Sequence, residues 1–293
     1  MRWIWSGNAR GNGEGWSSPT ILGCLVGAAV LAAAFVLLEL TSTDPMLDVR
    51  LFRDPVFVGA QIGALTLSAA MFSNFLYLTL YLQNVLGYGP LGAGIRFLPL
   101  SLASFVVAAI SGNLTSRMPM RALVSAGLVV CGISLVLMAR VGTDSRWTVL
   151  LAGFVAGGIG IGIVNPALAS AAVGVVPPEQ SGMASGTNNT FRQVGIATGI
   201  AGLGALFEGH IGSRLTDALG HDPGHGLVAR VASGSFPVSL AGPARAAFVG
   251  GLRELFLAAA VVAFTSAALS AILLRGFRTK LSPAQPADAP GDS

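Results

Sequence analysis

Apolar residues fall in long uncharged blocks, and charge is confined to the stretches between them. A helix needs about 20 apolar residues to cross roughly 30 Å of hydrocarbon, which sets the length against which each block is measured. Ser17–Leu38 is the first, stopped by Glu39 and the polar run Thr41-Ser-Thr-Asp-Pro45. Pro55 to Ile95 carries no charge and is twice as long as one helix requires. Asn84-Val-Leu-Gly87-Tyr-Gly-Pro90 breaks it, which predicts two helices joined by a tight outer turn. The second of these opens at Arg96 and runs from Phe97 to about Leu114. Ala122–Ala139, between Arg121 and Arg140, is a fourth span. Trp147–Val176 is a fifth, with Trp147 at an interface, where amphipathic rings settle. A sixth starts within Ser181–Arg192 and ends at Phe207; Glu208–Arg253 reads as a long mixed segment and Leu255–Leu274 as the seventh span.

The pattern predicts an all-α polytopic membrane protein divided as follows: an extramembrane start over 1–16, one transmembrane helix over 17–39, a cytoplasmic loop over 40–54, a six-helix bundle over 55–274 with an outer loop at 208–253, and a cytoplasmic tail over 275–293. Composition agrees, because 53% of the 293 residues are hydrophobic and only 10% charged, against roughly a quarter charged in soluble domains. Mean hydropathy is +0.72. The pI of 9.7 does not indicate a nucleic-acid partner. The basic residues, all Arg except Lys280, are scattered between apolar blocks rather than gathered on one face. Cys24 and Cys131 each sit inside an apolar block and form no disulfide framework.

Charge placement also orients the chain. With the tail inside, the inner segments hold Arg50, Arg53, Arg117, Arg121, Arg192, Arg275, Arg278 and Lys280, and the short outer loops only Arg96, Arg140 and Arg146. That is the bias expected of cytoplasmic loops. Arg2, Arg10, Arg214, Arg230, Arg245 and Arg253 then fall outside, and counting them removes the bias; the short loops carry the greater weight. Met1-Arg-Trp-Ile-Trp lacks the apolar core of a signal peptide, and the Gly-rich strip that follows reads as a loop cut open.

Several stretches resemble, in order and spacing, the C-terminal half of a major facilitator superfamily transporter of the fourteen-span drug:proton antiporter branch. They are Gly15-Trp-Ser-Ser-Pro19, Pro45-Met-Leu-Asp-Val-Arg-Leu-Phe-Arg53, Tyr81-Leu-Gln-Asn-Val-Leu-Gly-Tyr88, Gly92-Ala-Gly-Ile-Arg-Phe-Leu-Pro99, Pro178-Glu-Gln-Ser-Gly-Met-Ala-Ser-Gly186 and Asn188-Asn-Thr-Phe-Arg-Gln193. The resemblance implies that the first span is a linker helix and the other six form one bundle. Such transporters enclose a midplane site between repeats that rock against each other, so one bundle implies a missing N-terminal half or a partner subunit. The implied activity is multidrug or small amphipathic-compound efflux at the plasma membrane, proton-coupled in the intact protein. The alternative is a non-transporting truncated product, or a membrane assembly or regulatory subunit. A seven-span receptor or channel has the span count and no motif.

Candidate residues follow from helical spacing. Asn74, Tyr77 and Tyr81 share one face of the second span, where they contact substrate or else supply interhelical hydrogen bonds and an interfacial ring. Gly112, Arg117 and Arg121 match the family's cytoplasmic loop motif, with Ser116 where an acid is expected; the loop gates, or its arginines anchor helix ends at headgroups. In the fifth span Gly158, Gly162 and Asn165 share a face and Pro166 frees a carbonyl for a kink, so this helix lines a cavity or is simply tightly packed. In the sixth, Asn188, Arg192, Gly195, Gly199 and Gly202 form a stripe, implied by the resemblance to meet the absent half; Arg192 lines a vestibule or snorkels. His221-Asp-Pro-Gly-His225 with His210 reads as ordinary outer loop, and no metal or cofactor is expected. No P-loop or nucleophile elbow is present. No acid falls in the middle of a span, which puts any coupling carboxylate in the missing half.

Overall fold

A computed structural model describes residues 19–41, 48–115 and 118–274. The expected start at 1–16, the tail at 275–293, the resembling stretch before Pro19 and, in the cytoplasmic motif, Ser116 and Arg117 lie outside the described residues. Among those described, every regular element is helical, and seven helices are long and apolar enough to cross a membrane.

The first, α1 (Pro19–Thr41), leaves its described apolar side chains exposed, as a helix surrounded by lipid would. Asp48 caps a 3-10 turn over Val49–Arg53, and Asp54 caps α2 (Pro55–Val85) by accepting the Val56 N–H at 2.7 Å. Pro55 occupies the first helical position, where no N–H is needed. At 31 residues α2 is roughly 45 Å long and is the most deeply buried of the seven. Two π turns, Ser68–Phe72 and Tyr81–Val85, interrupt its α-helical run. The predicted tight turn follows it, and Gly87 takes the left-handed backbone (φ 74°) that glycine adopts without strain.

A short turn, Pro90–Arg96, leads into α3 (Leu98–Thr115). The Arg96 guanidinium lies 3.3 Å above the Tyr88 ring and 5.4 Å from that of Trp147, which pins this corner to the start of the fifth span. Next come α4 (Met120–Met138) and α5 (Leu151–Val173). Glycine is what lets α5 lie between its two neighbours. A Cβ on Gly158 would strike the Leu100 carbonyl of α3, and one on Gly162 would stand 2.7 Å from the Ser104 carbonyl. On the opposite side, a Cβ on Gly160 would stand 2.8 Å from the Gly127 carbonyl of α4, while Gly153 abuts Ser134 and Met138. The helix stays continuous through Pro166. Outward, α3 turns Leu102 and Phe105 (75% exposed) away from the bundle.

The last two spans are longer than the charge pattern predicts. The sixth, α6, runs from Ser181 to Leu219 and the seventh, α7, from Ala241 to Leu273, so the expected outer loop at 208–253 is mostly helix. Phe207, Ile211 and Leu215 recur every fourth residue on α6 and are buried against the α7 side that carries Phe248 and Gly251, with Arg214 and Asp217 exposed on the other side. A short helix, Gly224–Ala232, packs on this extension, its Val228 beside Gly212, and Gly234 (φ 81°) rests on the amide of Asn84 at the outer end of α2.

Candidate functional site

The predicted polar trio of α2 is inside the bundle, and its members meet three different partners. Asn74, 2% exposed, donates its amide N–H to the Ala70 carbonyl of the π turn and leaves Oδ1 unpaired. The Tyr77 ring packs 4.8 Å from that of Phe207 on α6, with its hydroxyl over Gly204, where a Cβ would stand 2.6 Å away. Tyr81, 1% exposed, donates its hydroxyl to the Gly142 carbonyl at 2.8 Å, in the loop between α4 and α5. Tyr81 is therefore a sealed core residue rather than an interfacial ring. The shared face exists, but different elements cover it along its length.

The stripe on α6 meets α2 instead of lacking a partner. A Cβ on Gly195 would collide with the Leu65 carbonyl, and one on Gly199 with Ser73 Oγ and the Ala69 backbone; Gly202 alone faces open space. The glycines thus let two parallel helices touch backbone to backbone. The upper part of the stripe is consumed within the bundle and does not await an absent half.

At the inner end of the same seam lies a polar ladder in which sequence reasoning missed one rung. Arg192 donates Nε–H to Asn188 Oδ1 at 3.2 Å, and Asn188 donates its amide to Gln61 Oε1 at 3.2 Å. Asn188 is buried, Arg192 half-buried, and Gln61 1% exposed with its Nε2 unpaired. The direction of donation is fixed from Arg192 through Asn188 to Gln61, because a guanidinium can only donate. Gln61 carried a signal, since an amide within an apolar helix needs a partner, but its partner is distant in sequence. Phe52 packs on both Phe57 at the start of α2 and Phe191 of α6, which holds the 3-10 turn and the two helices together beside this ladder.

Asn165 is half-buried on α5 with Oδ1 unpaired; its helix touches α2 where Leu168 covers Gly63 and Met71 covers Gly157. Gly112 is exposed in open space at the inner end of α3, and Arg121 is exposed at the start of α4. Glu208, expected to begin an outer loop, stands inside α6, one residue beyond the ring that packs on Tyr77. His210 faces Glu254 at 3.9 Å across α6 and α7, while His221 and His225 are exposed.

A family model for the Major Facilitator Superfamily matches residues 11–200. Multidrug resistance protein Stp of Mycobacterium tuberculosis is 35% identical over 202 residues, which are 69% of this chain and 37% of that protein. Puromycin resistance protein pur8 of Streptomyces alboniger is 31% identical over 208 residues, 70% of this chain and 41% of that protein. An uncharacterized MFS-type transporter of Mycobacterium tuberculosis, Rv1877, is 30% identical over 266 residues, 89% of this chain and 38% of its own length. The chain spans about two fifths of the length of these curated relatives.

Proposed function

The chain belongs to the major facilitator superfamily, and on that premise we propose that it is the C-terminal bundle, with one linker helix, of an efflux transporter for small amphipathic compounds at the plasma membrane. The observation that carries this reading is the similarity to named drug and antibiotic resistance proteins over about 200 residues of a chain with seven helices long and apolar enough to cross a membrane. A transporter of this kind needs two bundles around a midplane site. The seam of α2 and α6 and the glycine faces of α5 give this bundle a rigid interior, and the exposed face of α3 is the apolar surface left for a second bundle or for lipid.

In this reading transport is proton-coupled. Among the described residues the carboxylates lie in loops or near helix ends, apart from Glu208, which α6 carries one residue beyond the ring that packs on Tyr77, and Glu254, which α7 carries, exposed, facing His210. The principal coupling acid then belongs to the part of the relatives' length that this chain does not cover, with Glu208 as this bundle's own contribution. A subunit that binds another transporter through the α6 stripe is the weaker reading, because Gly195 and Gly199 are already used against α2.

The test is reconstitution in liposomes with an imposed proton gradient, reading efflux of an amphipathic dye. No efflux is expected from this chain alone, and efflux is expected once an N-terminal bundle of a relative is supplied. Efflux by the chain alone would reject the two-bundle requirement.

A further inference from the structure

Phe207 closes the uncharged run of α6, and counting back about 20 residues from it sets the inner edge of the hydrocarbon near Asn188. Arg192 therefore stands one turn inside that edge, half-buried. Its Nε–H is spent on Asn188 Oδ1, and Asn188 is held in turn on Gln61, which is 1% exposed. Nη1 and Nη2 carry no hydrogen bond among the described residues, and none of the ion pairs there includes Arg192. Asp48 and Asp54, at the two ends of the 3-10 turn that Phe52 packs on this seam, accept backbone N–H groups at 2.9 and 2.7 Å. Arg53, which the same turn carries, is a second cation and is exposed.

A guanidinium one turn into the bilayer is costly without a partner. Snorkelling is the usual escape, but the Asn188–Gln61 ladder tethers this one by Nε to the α2 seam. The edge made by Nη1 and Nη2 is then the open side, and two parallel N–H bonds from it match the two oxygens of a carboxylate or phosphate. The surface beside it is polar, with Asn189, three residues before, and Gln193, the next residue, both exposed on α6. Their amides donate to an anion and find no partner in acyl chains. Farther along the helix Ile196 is half-buried and Ala197 exposed, an apolar continuation toward the bilayer centre. A cation would meet only like charge here, and a neutral molecule would leave the guanidinium unanswered.

We propose that Arg192 is an anion site at the inner mouth of this bundle, which takes the carboxylate or phosphate of an amphipathic molecule on Nη1 and Nη2, with Asn189 beside it and the apolar body running past Ile196 and Ala197. The inference deepens the efflux reading by giving the bound compound a negative charge, and it rests on that reading for the fate of the compound, not for its binding.

The experiment uses the full chain in phosphatidylcholine nanodiscs and the fluorescence of 2-naphthoate, with 2-naphthamide as its uncharged counterpart of the same shape. Saturable naphthoate binding is expected, about tenfold tighter than that of naphthamide, as a charge-assisted pair of hydrogen bonds allows. Arg192→Gln should bring the two probes level, and Arg192→Lys, a point charge without the fork, should keep part of the preference. Asn189→Asp changes an exposed side chain and keeps the ladder intact, so it tests the site in a folded protein even where Arg192→Gln does not fold. Its carboxylate faces the guanidinium from three residues before and should displace naphthoate. Native mass spectrometry from discs that also contain phosphatidylglycerol separates the sources of the anion. A phosphatidylglycerol retained by the wild-type chain and lost in Arg192→Gln makes a lipid headgroup the occupant, and naphthoate binding with no retained lipid makes it a dissolved anion. Equal affinity for the two probes in the folded wild-type chain, no saturable binding, or a naphthoate preference that survives Arg192→Gln or Asn189→Asp overturns the proposal. Binding is read without transport, so its failure leaves the efflux reading standing, and a failure of transport leaves the anion site standing.

Discussion

The hydroxyl of Tyr81 donates to the carbonyl of Gly142 at 2.8 Å, tying the outer end of α2 to the loop between α4 and α5, residues far apart in sequence. Tyr81→Phe keeps the ring and leaves the half-buried Gly142 carbonyl with only the long Ser145 N–H bond of 3.5 Å. A loss of about 1–2 kcal/mol of stability is expected. It should appear as a lower unfolding temperature in detergent.

Glycine positions on α6 and α5 should sort into two groups. Gly158→Ala and Gly195→Ala drive a methyl into a backbone carbonyl, which cannot move aside without shifting a whole helix. A cost of at least about 1–3 kcal/mol is expected for each, with loss of folded yield on size-exclusion chromatography. Gly202→Ala and Gly209→Ala meet open space and should gain helix propensity without loss. Equal yields across both pairs would refute the backbone contacts of both seams.

The inner ladder should respond asymmetrically. Asn188→Ala strands both the Arg192 Nε–H and the Gln61 carbonyl, and should cost about 2–4 kcal/mol. Gln61→Leu removes an amide whose N–H is already unpaired, so its cost is smaller. Thermal unfolding of the two single variants, compared side by side, checks the order.

Topology can be read by labelling. In a Cys24→Ser background, with Cys131 buried, a cysteine at Val238, which is 96% exposed, should react with a membrane-impermeant maleimide added to intact cells. A cysteine at Arg121 should react only after permeabilisation. The reverse pattern would invert the orientation.

The outer extension has a core of its own, so Ile211→Ala is expected to cost about 2–4 kcal/mol and to make residues 220–240 sensitive to protease added outside. Unchanged cleavage would mean that this extension is not held by the Phe207–Ile211–Leu215 face.

Much of the fold was legible because lipid imposes a simple rule: a spanning segment must be apolar and long enough, and charge must wait at its ends. That rule found all seven helices and the Gly87 turn. It misjudged α6 and α7, because a helix that leaves the membrane becomes amphipathic, and the exposed Arg214, Asp217 and Arg253 then mark its outer face rather than its end. The candidate site was less legible. Asn188 and Arg192 could be placed one helical turn apart from sequence, but Gln61 is their third member only because α2 and α6 run side by side.

The sequence by itself determined that the chain lives in lipid, how many spans it has, and which glycine faces they can press together, since hydrophobicity and side-chain size are local properties. Only the tertiary structure decided what each face meets: that Gly195 and Gly199 close on α2, that Tyr81 reaches Gly142, and that Ser73 Oγ and Asn74 Oδ1 are left without partners inside the bundle. Helical periodicity fixes which residues share a side of a helix; the neighbour on that side is set by the packing of the whole bundle at once.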